Sequence, residues 1–282
     1  MTKIAVVTDT VAGIPADLVK KYNILVAPIH IIWDGVDYRD SIDMPVTEFY
    51  ARLRKSKTLP TTTSAIQGEF LQIFESLKGN VDGIVALTIS EVIPAACYSS
   101  ALNAKTLVEG LPIEVIDTRT AMMAQGFSAL AAAKVAASGG NISEVSQAAL
   151  SVVSKANIFW TMDTLKYLRK GGRVSLPQSI LANTLQVKPI MGIVDGKVTP
   201  LARARTKAKA IDKLFELMDE RVIKTSPLHV AVIHGDVEGE AQQVEQKVMA
   251  RYKPVELLRS EMTPVVGAHI GPGAVGLAFY NE

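Results

Sequence analysis

A single cysteine, Cys97, among 282 residues excludes an internal disulfide framework and fits a reducing compartment. Charge of one sign is also missing. Thirty Lys and Arg stand against 28 Asp and Glu, a formal net charge of +2 without a basic tract, so nothing calls for nucleic acid. The longest apolar run, ILVAPIHIIW at 24–33, is about half of what a bilayer span needs and carries a histidine and a proline. The opening MTKIAVVTDT enters a strand pattern at once and lacks the apolar segment of a signal peptide. These absences predict a soluble, cytoplasmic protein. Aromatics are only 6% of a chain that is 48% hydrophobic, so the surplus is aliphatic and alanine, which suits a generous core or an aliphatic pocket.

Common catalytic signatures are absent too. The chain has no G-x-x-x-x-G-K-[ST], no H-E-x-x-H and no G-x-S-x-G, so phosphoryl transfer and serine hydrolysis lose their usual marks. GPGAVG at 271–276 does match a dinucleotide-binding loop. That loop needs a helix opening at its third glycine and a parallel strand after it, whereas Leu277–Tyr280 reads as a short strand. His229 and His234 lie five apart on an expected strand and point to opposite faces, so they do not share a metal there. No metal site and no catalytic residue is assigned.

What is present is an alternation of strands and helices. IAVV (4–7), IVALTIS (84–90) and IEVID (113–117) read as buried parallel strands, separated by expected helices at 66–78, 97–109, 120–137 and 143–155. Asp34-Gly35 and Asp195-Gly196 are hairpin turns. The second half continues with an expected helix at 205–222, a strand at 228–234, a helix at 237–252, and strands near 255–260 and 264–270. The expected class is α/β with two domains. Residues 1–155 form an open parallel sheet with helices on both faces and a hairpin insertion at about 24–40, and 156–282 form an α+β domain of split βαβ-like order. A TIM barrel is the alternative, disfavoured by two hairpins where barrel strands are joined through helices.

Hydroxyls gather at the carboxyl ends of the parallel strands: Thr8 and Thr10, Thr88 and Ser90, Thr118 and Thr120, with Thr61, Thr62, Thr63 and Ser64 before a helix. Such groups either cap helices or hydrogen-bond an anionic head group. Arg173 follows the helix stop Gly171-Gly172, and a guanidinium on a rigid turn is a good anion receptor. Gly267, Gly271 and Gly273 surround His269 and allow the backbone to turn sharply or approach something closely.

TDTVAGIP (8–15), DGVDYRD (34–40), PTTTSAIQGEF (60–70), DTLKYLRKGGRVS (163–175), VKPI before the second Asp-Gly turn, and GAHIGPGAVG (267–276) together resemble the DegV family of bacterial fatty-acid-binding proteins over essentially the whole length. The resemblance implies two α/β domains with one long-chain fatty acid between them as the bound ligand and no other cofactor. It implies that the carboxylate meets hydroxyls and the histidine of the GAH motif, which points to Thr62, Thr63, Ser90, Arg173 and His269, with backbone approach at Gly267, Gly271 and Gly273. It further implies a non-catalytic carrier that presents its lipid to a separate ATP-dependent fatty acid kinase subunit for acyl phosphate formation, with peripheral membrane contact for lipid exchange. One segment departs from the pattern. Where the family commonly has Ile-Ser-Ser-x-Leu-Ser-Gly-Thr-Tyr, residues 89–101 read ISEVIPAACYSSA, and Ser90 alone keeps a motif hydroxyl. A small-anion enzyme using His269 as base, or a regulatory homologue with a degraded lipid site, are the alternatives.

Overall fold

The computed structural model describes residues 2–63, 67–93, 96–172 and 187–282. The first sheet is parallel, in the order β2 (Leu25–Ala27), β1 (Ile4–Asp9), β6 (Gly83–Thr88), β7 (Ile113–Asp117). Every residue of β1 and β6 is buried, which is why these strands read as unbroken apolar runs rather than alternating ones. Helices α3 (Gln67–Leu77) and α4 (Cys97–Thr106) pack together against this sheet, as do α5 (Met122–Ala137) and α6 (Ile142–Val153). Helix α6 starts at a capping box, in which the Asn141 side chain accepts from the Glu144 N–H (3.1 Å) and the Glu144 side chain from the Asn141 N–H (2.8 Å).

Residues 30–63 leave the parallel sheet. β3 (His30–Trp33) and β4 (Val36–Arg39) pair antiparallel across Asp34 (φ 52°) and Gly35 (φ 82°), the two positive φ values that a type I′ hairpin requires. The threonine run then forms β5 (Thr61–Thr63) on the other side of β3, with Thr62 opposite Ile31.

The second sheet has six strands in the order β10 (Lys197–Ala204), β9 (Lys188–Val194), β8 (Asn157–Thr161), β13 (Val275–Asn281), β11 (Leu228–His234), β12 (Glu256–Glu261). Only β11 and β12 run parallel. Its outer face is covered by α8 (Lys207–Asp219) and α9 (Glu238–Tyr252), through a core that includes Phe159, Leu214, Val232, Val244 and Leu277. The inner face packs on α5, whose residues are buried nearly all round, as expected of a helix held between two sheets. One continuous core therefore runs from Val6 and Val85 through Phe127 and Leu130 to Trp160 and Ala278.

One expected strand is a helix. Residues 264–270 form α10 (Pro264–Ile270), with Thr263 at the N-cap position and Pro264 opening the first turn, where proline's fixed φ and missing N–H fit a helix start. The Val265-Val266 pair suggested a strand, but a short apolar run has no period that separates strand from buried helix. The GPGAVG segment leads directly into β13, so no helix opens at its third glycine and the dinucleotide reading fails.

His229 on β11 lies with Nδ1 2.8 Å from Glu256 Oε2 and Nε2 2.9 Å from Glu282 Oε1, its ring stacked on Tyr280 at 4.5 Å. The hydrogen bond to Glu256 lifts the imidazole above its usual 6.5, against the opposing effect of burial. Glu256 is held below its usual 4.5 by His229. A raised histidine stabilises the fold fully below pH 6.5 and loses that contribution as pH rises through its folded value. The lowered glutamate contributes above pH 4.5 and loses its share as pH falls through its own folded value. The pair is therefore worth most between those two values. Thermal unfolding measured from about pH 6 to about pH 8 is expected to show a falling midpoint that becomes shallower in His229→Gln; parallel profiles for both proteins would remove the pair from the account.

Candidate functional site

Helix α10 presents His269 from a buried segment in which only that residue is partly exposed. Its first turn is held by Asp40, at the end of the hairpin, whose Oδ1 accepts from the Val265 N–H at 3.4 Å. Burial pushes the Asp40 carboxyl up to about 6, partly offset by hydrogen bonds from Thr10 and Ser41. The same hairpin carries β5, and β5 brings Thr62 Oγ1 to 2.7 Å from His269 Nε2. The insertion and the last helix thus meet at one hydroxyl and one imidazole, 207 residues apart in sequence.

These two groups, with Thr63, border an apolar cavity whose empty space, open solvent at its mouth included, is about 640 Å³. Val11 and Ile89 reach it from the parallel sheet, and Trp160, Ile193 and Val198 from the six-stranded one. The cavity lies between the two sheets and has very little polar lining. Its chemistry suits a ligand with one anionic end and a long apolar remainder, because the threonines and His269 can donate to an anion while the rest offers only burial.

The glycines near His269 approach protein side chains. A Cβ at Gly171, at the end of α7 (Lys166–Gly171), would overlap the His269 ring; at Gly271 it would overlap the Tyr167 ring, and at Gly273 the Asp163 carboxyl. At Gly267 it would fall 2.7 Å from the Phe49 ring and 2.8 Å from the Tyr50 hydroxyl. Two glycine-rich segments therefore close on each other, and their missing side chains set where the imidazole stands. Gly172, with φ 64°, is the helix stop. One left-handed glycine suffices for that purpose, so the second glycine of the pair was the available clue that something packs there.

The Ser90 hydroxyl is buried and donates to the Gly196 carbonyl at 2.9 Å, tying the loop after β6 to the β9–β10 turn, and Ser90 does not border the cavity. Arg173, Ser64 and Pro94-Ala95 lie outside the described residues. Two of the strand-end hydroxyls are spent on the sheet: Thr8 donates to the Leu87 carbonyl (2.9 Å) and Thr118 to that of Thr88 (2.8 Å). Asp9 accepts from the N–H groups of Ile89 (2.8 Å) and Val11 (3.0 Å), and burial raises its carboxyl to about 6. Among the described residues no cluster of three or more His, Cys, Asp or Glu side chains could hold a metal ion, and no helix is long and apolar enough to cross a membrane.

Ser90→Ala strips the Gly196 carbonyl of a buried donor, and the expected cost is about 1–3 kcal/mol of stability, with ligand content unchanged. A melting curve and an assay of bound ligand on the same preparation check this; loss of ligand without loss of stability would return Ser90 to the binding site.

The family model described as "Uncharacterised protein, DegV family" matches residues 3–282. A DegV domain-containing protein of Caldanaerobacter subterraneus subsp. tengcongensis is 35% identical over 282 residues, covering 100% of both chains. Among solved structures, DegV of Bacillus subtilis, described as a fatty acid binding protein, superposes with a TM-score of 0.91 at 31% identity over 100% of both chains. A Thermotoga maritima protein whose structure is described as revealing a fatty acid binding function gives a TM-score of 0.90 at 26% identity, again over 100% of both chains.

Proposed function

The chain belongs to the DegV family, and on that premise we propose that it binds one long-chain fatty acid in the cavity between its two sheets. The observation that carries this reading is the pairing of Thr62 and His269, 2.7 Å apart, at the border of an otherwise apolar space. With the imidazole N–H donating to the Thr62 hydroxyl, the hydroxyl proton is left to donate to a carboxylate, and hydrogen bonds to a charged acceptor are the stronger kind. Affinity comes mainly from the chain, at about 0.8 kcal/mol per buried CH₂, so the polar pair sets orientation. Thr63, which also borders the cavity, would help, and Ser90 contributes to stability through the loop it ties down.

The polypeptide is then a carrier in the cytoplasm and not itself a catalyst. It would present the carboxylate to a separate ATP-dependent kinase subunit that forms the acyl phosphate, and would exchange lipid at a membrane surface. The sequence supports this division of labour, since it has no phosphate-binding loop. Titrating delipidated protein with stearate and oleate by calorimetry tests the binding step, with saturation expected at one ligand per chain. Failure of both to bind would end the carrier reading. Acyl phosphate production with added kinase and ATP tests the second step, and a kinase that ignores the loaded protein would end that part alone.

A further inference from the structure

The end of the cavity away from His269 is closed by residues that take no part in the head-group site. His269 stands against Gly171 at the end of α7, and α7 follows the carboxyl end of β8. Thr161, the last residue of β8, pairs with Ile190 of β9. Because the two strands are antiparallel, β9 leads away from the His269 end beyond Ile190, and Ile193 lies about 10 Å further along it, three residues at a strand's rise. Val198 of β10 pairs directly with Ile193, which sets the two side chains next to each other on one face of the sheet. That face is the one of Met191 and its partner Trp160, two residues back along β9. Ile193 and Val198 both border the cavity, and β10 is the edge of the sheet, so Val198 is on the last strand that reaches it in this direction.

The loop after β6 shuts the same end from the other sheet. The Ser90 hydroxyl donates to the Gly196 carbonyl at 2.9 Å, and the Ser90 carbonyl accepts from the Ile93 N–H at 3.1 Å. Arg119 adds a second tie, from Nη2 to the Asp195 carbonyl at 3.0 Å. A Cβ at Gly196 would fall 2.6 Å from Ser90 Oγ and 3.3 Å from Val92 Cγ2, so the β9–β10 turn sits directly on this loop. Ile93, 7% exposed, completes the apolar end.

A chain held at one end by its carboxylate and stopped at the other is measured. Short of the stop, each added CH₂ is buried and affinity rises about fourfold; past it, further carbons must buckle or push close-packed side chains apart. We propose that Ile93, Ile193 and Val198 are the stop on which the methyl end of the fatty acid rests, and that through them the protein selects its ligand by chain length. This rests on the carrier reading above and narrows its ligand class.

The test is calorimetric titration of the delipidated full-length protein with the even-numbered saturated acids from laurate to arachidate, in the wild type, Val198→Ala and Val198→Phe. In the wild type, affinity is expected to rise with length to an optimum and to fall about tenfold at the next acid of the series. Val198→Ala takes two carbons from the stop and should move the optimum about two carbons longer; Val198→Phe adds bulk and should move it to a shorter acid. Identical optima in the three proteins, or wild-type affinity that still rises at arachidate, overturn the inference while leaving the carrier reading intact. Equal weakening at every length in both variants also overturns it, by making Val198 an ordinary part of the wall. Binding of none of the acids to the wild type removes the carrier reading and this inference together. Should either variant fail to fold, Ile193→Ala is expected to lengthen the preferred chain, and an unshifted optimum in that variant overturns the inference.

Discussion

His269→Ala is expected to weaken fatty-acid binding by about 10- to 150-fold, the equivalent of the roughly 1.5–3 kcal/mol carried by a hydrogen bond to a charged group. The fold should persist, because His269 is the partly exposed residue of α10 while its neighbours Ala268 and Ile270 hold the helix in the core. A companion variant reaches the same end without altering either polar group. A methyl at Gly171 would overlap the His269 ring, so Gly171→Ala should displace the imidazole from Thr62 and reproduce much of the loss. Calorimetric titration of both variants, with a melting curve for each, decides the matter. Unchanged affinity in His269→Ala would show that the carboxylate is held elsewhere; loss in His269→Ala with none in Gly171→Ala would show that the ring tolerates displacement.

Phe127→Ala is expected to carry the largest cost in stability, about 3–5 kcal/mol. Phe127 is 1% exposed on α5 and packs edge-on against Tyr280 of the second sheet at 5.2 Å. We propose that the division near residue 155 separates two sheets without separating two cores, since the cluster containing Phe127 spans both. If so, the variant melts in one transition at a lower temperature, with secondary structure from both halves lost together. Two resolved transitions, of which only one moves, would mean that residues 1–155 and 156–282 fold as independent units.

The elements were legible where a residue type carries its own physical demand. Asp34-Gly35 and Asp195-Gly196 announced hairpins because both turns need positive φ, and the structure has 52° and 82° in the first and 50° and 79° in the second. The buried parallel strands and α5 were legible from unbroken apolar composition. Residues 264–270 were not, because PVVGAHI has strand-like composition and its helix depends on Pro264 at the first turn and on burial from several sides. The threonine run became a strand through its pairing with β3, a tertiary event with no local signal.

Site residues followed the same logic. Thr62 and His269 were nominated by the family motifs, while their juxtaposition required the hairpin to fold over α10. Ser90 was nominated by a motif too, yet its hydroxyl donates to a carbonyl 106 residues away, a partner that no local pattern announces. Trp160, Ile193 and Val198 escaped notice as cavity residues because strand residues facing a cavity and strand residues facing a core have the same composition.

Native mass spectrometry of the purified full-length protein, followed by solvent extraction and identification of what co-purifies, tests the central claim most directly. The account predicts one fatty acid per chain in the wild type and a sharply reduced occupancy in His269→Ala. A wild-type protein that carries no lipid, and stays without it after incubation with fatty acids of varied length and saturation, would contradict the account.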